Sequence, residues 1–134
     1  MKPTFRFGTK KAIDELAEEL QLPNDSTMQD WSYEVSNPND IDKYISHYHL
    51  TTDDDKKFVL MEMILQAIVD QPDEEQLMIG WKKVHPVLED NFNIHEFTVH
   101  YWKDLTDDSF DNCKTLNPLL RQLWKTKTSD YGII

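Results

Sequence analysis

The sequence predicts an all-α fold. The expected architecture is a compact helical bundle, or a short helical-repeat layer, of about six helices around a buried helix near 54–70. Three observations carry that prediction. Ten of the twelve residues in FVLMEMILQAIV (58–69) are apolar, and the two exceptions, Glu62 and Gln66, lie four apart on one side at 100° per residue. A helix so patterned is covered on nearly its whole circumference and keeps one narrow polar stripe. Only three glycines, Gly8, Gly80 and Gly132, occur in 134 residues, too few for a turn-rich β protein. Cap-and-proline breaks at Leu22-Pro23, Asn37-Pro38, Gln71-Pro72 and Asn117-Pro118 divide the chain at helical intervals. No internal period argues for a true repeat array.

Taken in order, Thr4 to Phe7 is extended, with Phe5 and Phe7 laid on the core. Thr9 caps a first helix from about Lys10 to Gln21, whose apolar face is Ile13, Leu16, Ala17 and Leu20. Between Ser26 and Ser36, Trp31, Tyr33 and Val35 alternate with polar residues as a strand would. No partner strand is evident, so a structured loop is expected there. Asn37-Pro38-Asn39-Asp40 starts a helix that buries Ile41, Tyr44, Ile45 and Tyr48. Thr51 or Thr52 caps the central helix, and Asp53, Asp54 and Asp55 meet the positive end of its macrodipole.

After the break at 70–73, Leu77, Trp81, Val84 and Leu88 form a clean stripe, interrupted by Pro86, which predicts a kink or restart. Asn93 caps the next segment. Ile94, Phe97, Thr98, Tyr101 and Leu105 fit a helix, whereas Phe97, Val99 and Tyr101 fit a strand; the length of the stretch favours helix. A short helix over 107–114 and a last one starting at Asn117-Pro118 complete the set. Residues after 125 are expected to be loosely held, and residues 1–134 to form one domain.

Composition excludes several functions. The net charge is −11, and residues 28–112 hold nineteen acids against six bases. Direct nucleic-acid binding requires a basic footprint, so it is not expected. The single cysteine, Cys113, precludes an internal disulfide framework and suits a reducing compartment. No secretory segment follows Met1-Lys2-Pro3, and the central apolar run is shorter than the ~20 residues of a membrane span. A cytoplasmic protein without membrane association is expected.

Motifs of chemistry fail on spacing. His95-Glu96 is followed by a histidine at 100 rather than 99, so the two imidazoles cannot share one helical face as a zinc protease requires. His47 and His49 fail in the same way, and surface or interface histidines are expected. The run from Asp104 to Asp111 lacks the glycine and terminal glutamate of a calcium loop. The sequence thus predicts no catalytic residue, no cofactor and no metal.

Charge and aromatics suggest a partner instead. If the helices alternate in direction, Asp73, Glu74 and Glu75 lie at the same end as Asp104, Asp107 and Asp108, with few bases to offset them. Such an end is relieved of self-repulsion when a basic partner covers it. Trp31, Tyr33 and Trp102 are the aromatics expected to face a partner's groove, since Tyr and Trp are enriched at interfaces.

In size, acidity and helical patterning, as in KKFVLMEMILQAIVDQPDEEQLMIGWKKV, the chain resembles the immunity proteins of bacterial toxin systems. The resemblance implies binding and inhibition of a cognate toxin domain, often a basic nuclease, and carries over no individual residue. A helical adaptor for another protein is the alternative, and an enzyme the third reading.

Overall fold

The computed structural model describes residues 3–105 and 112–129. The described residues are all-helical, with no strand among them. Seven α-helices follow one another: α1 (Lys10–Leu20), α2 (Trp31–Val35), α3 (Ile41–Leu50), α4 (Asp54–Val69), α5 (Glu74–Asp90), α6 (Phe92–Lys103) and α7 (Cys113–Ser129). They group into two units, residues 7–68 and residues 1–6 with 69–134. The division falls near the end of α4.

In α4 every residue from Phe58 to Val69 except Glu62 and Gln66 is buried. The all-round apolar pattern has become an all-round buried helix. Its cap is Asp53, whose Oδ1 accepts the Lys56 N–H at 3.1 Å. Thr51, expected as a candidate cap, instead closes α3: its hydroxyl donates to the His47 carbonyl at 2.7 Å.

In the 7–68 unit, Thr9 caps α1 as expected, accepting from the Ala12 N–H at 3.1 Å. Gln21 ends the helix in the left-handed region at φ 55°, and the Leu22 N–H returns to the Ala17 carbonyl. The expected loop over 26–36 is a turn followed by the short helix α2. Tertiary bonds account for it. The Trp31 indole N–H donates to the Pro23 carbonyl at 2.7 Å, and Ser32 and Tyr33 both reach α4. The Glu34 side chain also accepts the Asp30 N–H, closing the first turn. A 3₁₀ turn over Pro38–Asp40, capped by Asn37, leads into α3, where Tyr44 and Tyr48 are buried.

In the other unit, Asp73 caps α5 through the Gln76 N–H at 2.8 Å. Leu77, Trp81, Val84 and Leu88 are buried as the stripe predicts, and α5 continues past Pro86 without restarting. Helix α6 begins at Phe92, so Asn93 is not its cap; Asn91 precedes it and spends its side chain on the Val87 carbonyl. Asn117-Pro118 does not start a helix either. Both residues lie inside α7, which is continuous from Cys113 to Ser129. The expected helix over 107–114 falls mostly outside the described residues. Phe5 and Phe7 are not laid on the core: they are 67% and 64% exposed.

Among the described residues, no helix is long and apolar enough to cross a membrane.

Candidate protein-binding surface

Three side chains gather the helix ends of the 69–134 unit. Asn112 Nδ2 donates to the Val69 carbonyl at 3.0 Å and the Gln71 carbonyl at 2.8 Å, holding the turn between α4 and α5 against the start of α7. Asn117 Nδ2 donates to the Leu105 carbonyl at 2.6 Å, and Arg121 Nε to the Lys103 carbonyl at 3.1 Å. Orphan carbonyls at helix ends need such donors when they are covered. Five residues, about 7.5 Å of helical rise, separate the first two staples along α7. The turn bearing Asp73, Glu74 and Glu75 therefore shares one end with the C-terminus of α6 and Asp104, as alternating helices require.

That end is less purely acidic than the sequence suggests. Asp73 is a helix cap. Asp104 lies 2.6 Å from Lys103 Nζ and 3.5 Å from Arg121 Nε, and the hydrogen bond from Lys103 holds its carboxyl below the usual range. Glu74 and Glu75 are exposed in the first turn of α5. Asp107 and Asp108 lie outside the described residues.

The exposed aromatics are not the expected ones. Trp31 and Trp102 are each 3% exposed, so neither presents a face to a partner. Tyr33 is half-buried, with its hydroxyl donated to Glu62 at 3.1 Å. The open aromatic surface lies one position away from Trp102, on the outer side of α6. Tyr101 is 49% exposed and its ring runs nearly parallel to that of Phe97, 6.5 Å between centroids. Phe5 meets Phe97 edge-on at 4.9 Å. The stripe Phe97–Tyr101–Asp104, at steps of four and three, carries aromatic surface directly to the acidic end. The apolar spacing predicts Tyr101 in the core and Trp102 at the surface; the observed arrangement differs by 100° of helix rotation.

The inner side of α6 also departs from expectation. His95, expected at the surface, is fully buried with Thr98, Val99 and Trp102. His100 is half-buried, its ring 5.0 Å from that of Trp124. Lys103 reaches over the same indole at 5.7 Å.

The 7–68 unit holds most of the net negative charge. It contains thirteen acids and five bases, whereas the other unit contains twelve acids and nine bases. Ser32 Oγ and Tyr33 Oη donate to the two oxygens of Glu62 at 3.0 and 3.1 Å, tying α2 to α4. Burial pushes the Glu62 carboxyl up, and the two hydroxyls only partly oppose that shift. On another side, Lys56 Nζ pairs with Glu15 and Glu19, and His47 Nε2 lies 2.8 Å from Glu19.

Among the described residues, no three His, Cys, Asp or Glu side chains are grouped to hold a metal ion. No family model, curated protein or solved structure matches the chain.

Proposed function

We propose that this chain is a protein-binding inhibitor: an immunity protein, acting in the bacterial cytoplasm, that neutralises a toxin domain with a basic surface. The observation that carries this reading is the half-open aromatic stripe of Phe5, Phe97 and Tyr101, which leads along α6 to the end bearing Asp104, Glu74 and Glu75. Aromatic anchors beside like-signed charge suit a partner that is apolar at its contact centre and basic at its rim. The net charge of −11 and the class-level resemblance to immunity proteins point to the same kind of partner.

The test is co-purification with the product of the adjacent gene, followed by rescue of growth when that product is expressed. In the complex, Glu74→Lys with Glu75→Lys slows association and flattens its salt dependence, because steering acts on the encounter. Tyr101→Ala or Phe97→Ala speeds dissociation, by about thirtyfold if either is an anchor worth ~2 kcal/mol. A neighbour that does not bind, or binds with rates unchanged in all these variants, overturns the reading in favour of an adaptor for another protein.

A further inference from the structure

The 7–68 unit contains a cleft of about 420 Å³ lined entirely by its own residues. Its size falls within the ~300–1,000 Å³ range of sites that receive small groups. One wall is Gly8, where an added Cβ would lie 3.0 Å from Val59 Cγ2, so the backbone here closes directly onto α4. The apolar lining comes from Ile13, Met28 and Trp31, and the carboxylates from Asp14 and Asp25. The two acids differ in what they have left to offer. Asp14 uses Oδ2 for Lys10 at 2.6 Å and Oδ1 for Asn24 at 2.8 Å. Asp25 accepts from the Thr27 N–H and hydroxyl with Oδ1, the Met28 N–H also bears on its carboxylate, and its side chain lies open to the cleft with no cation on it. Lys10, the one base in the lining, has a side chain 88% exposed and already committed to Asp14.

We infer that this cleft receives an arginine or lysine side chain of the protein partner, its aliphatic stem against Ile13 and Met28 and its cationic head on Asp25. Long basic side chains bury their methylenes on apolar surface while the head stays hydrated or paired. A charge-assisted bond to a carboxylate is the strongest pairing such a head can make. The unit's thirteen acids against five bases favour a cation over an anion or a neutral group. This inference rests on the reading that the chain binds a basic protein, and it assigns the 7–68 unit a part in that contact.

The probe is Nα-acetyl-arginine methylamide, titrated into the full chain and followed by amide and indole NMR, with the citrulline analogue as its neutral isostere. The expected result is a saturable shift of the Trp31 indole N–H and the Gly8 and Gln29 amides with the arginine probe and none with citrulline. Asp25→Asn keeps an oxygen for Thr27 and should weaken the arginine probe about tenfold, as loss of one charged hydrogen bond does. Asp14→Asn should weaken it less. Absence of a saturable shift, an equal response to citrulline, or unchanged binding in Asp25→Asn overturns the inference. The probe needs no toxin, so its failure leaves the co-purification result standing, and failure of co-purification leaves the probe result standing.

Discussion

The two units use polar side chains in opposite ways. In residues 69–134, neutral amides are turned inward: Asn112 and Asn117 bond backbone carbonyls at the helix ends, and open surface is aromatic at Phe97 and Tyr101. In residues 7–68, charge dominates: Lys56 gathers two glutamates, Glu62 is covered by α2, and acids outnumber bases by eight. A strongly negative net charge therefore does not locate a binding surface by itself. The unit with the greater acidity is not the one that exposes the aromatic stripe.

The core sets the scale against which that contrast is measured. Leu65 in α4 and Leu120 in α7 are both fully buried, one in each unit. Leu65→Ala and Leu120→Ala should each cost about 2–5 kcal/mol, read from urea denaturation. A cost below ~1 kcal/mol for either would mean that its surroundings collapse readily, and that unit would not be packed as described. Next in size are the amide staples. Asn112→Ala and Asn117→Ala should each cost about 1–3 kcal/mol, since the first strands two part-buried carbonyls and the second strands one. Because these bonds are neutral, the cost should be the same at low and high salt, whereas contributions from the charged unit should shrink.

What could be read from the sequence follows the range of the interaction responsible. The α1 cap at Thr9 and the buried circumference of α4 are local, and residue type at fixed spacing discloses them. Asn112 was unreadable because its acceptors lie 41 and 43 residues away. Asn117-Pro118 reads as a helix start, yet its side chain serves the Leu105 carbonyl and the helix passes through. On α6, two neighbouring stripes are almost equally apolar; Ile94 and Thr98 of the expected stripe are buried, whereas its Tyr101 is exposed. The buried stripe runs through His95, Val99 and Trp102, which turns Tyr101 outward. The cleft arises from the irregular stretch between α1 and α2, where no periodic signal exists to betray it.

Within the charged unit, Glu62 gives a prediction of sign. Burial raises its folded-state pKa above the ordinary 4.5. Its contribution is therefore most favourable below the unfolded value and is lost as pH rises through the raised folded value. Glu62→Gln keeps an oxygen to accept from Ser32 or Tyr33 and removes the ionisation. The variant should gain stability relative to wild type as pH is raised from about 4 toward 7. A difference that stays flat, or moves the other way, would show that the two hydroxyls outweigh burial and that α2 is held to α4 by a carboxylate at ease.

The smallest effect belongs to Glu19, and its sign is opposite. The hydrogen bond from Lys56 lowers its pKa; desolvation opposes that shift, and His47 adds to it more weakly. A depressed carboxylate contributes stability that is present above its unfolded pKa, near 4.5, and is lost as pH falls through the lower folded value. Because Glu19 is about a third exposed, solvent screens the pair, and Glu19→Gln should cost only about 0.2–1 kcal/mol at neutral pH. That cost should fade in high salt and vanish in acid. Measured beside the salt-independent loss in Asn117→Ala, it separates the two ways of using polar groups in this chain. If Glu19→Gln proves as salt-insensitive as Asn117→Ala, its role is packing of the side chain over α1 rather than charge, and the contrast between the units narrows to their surfaces.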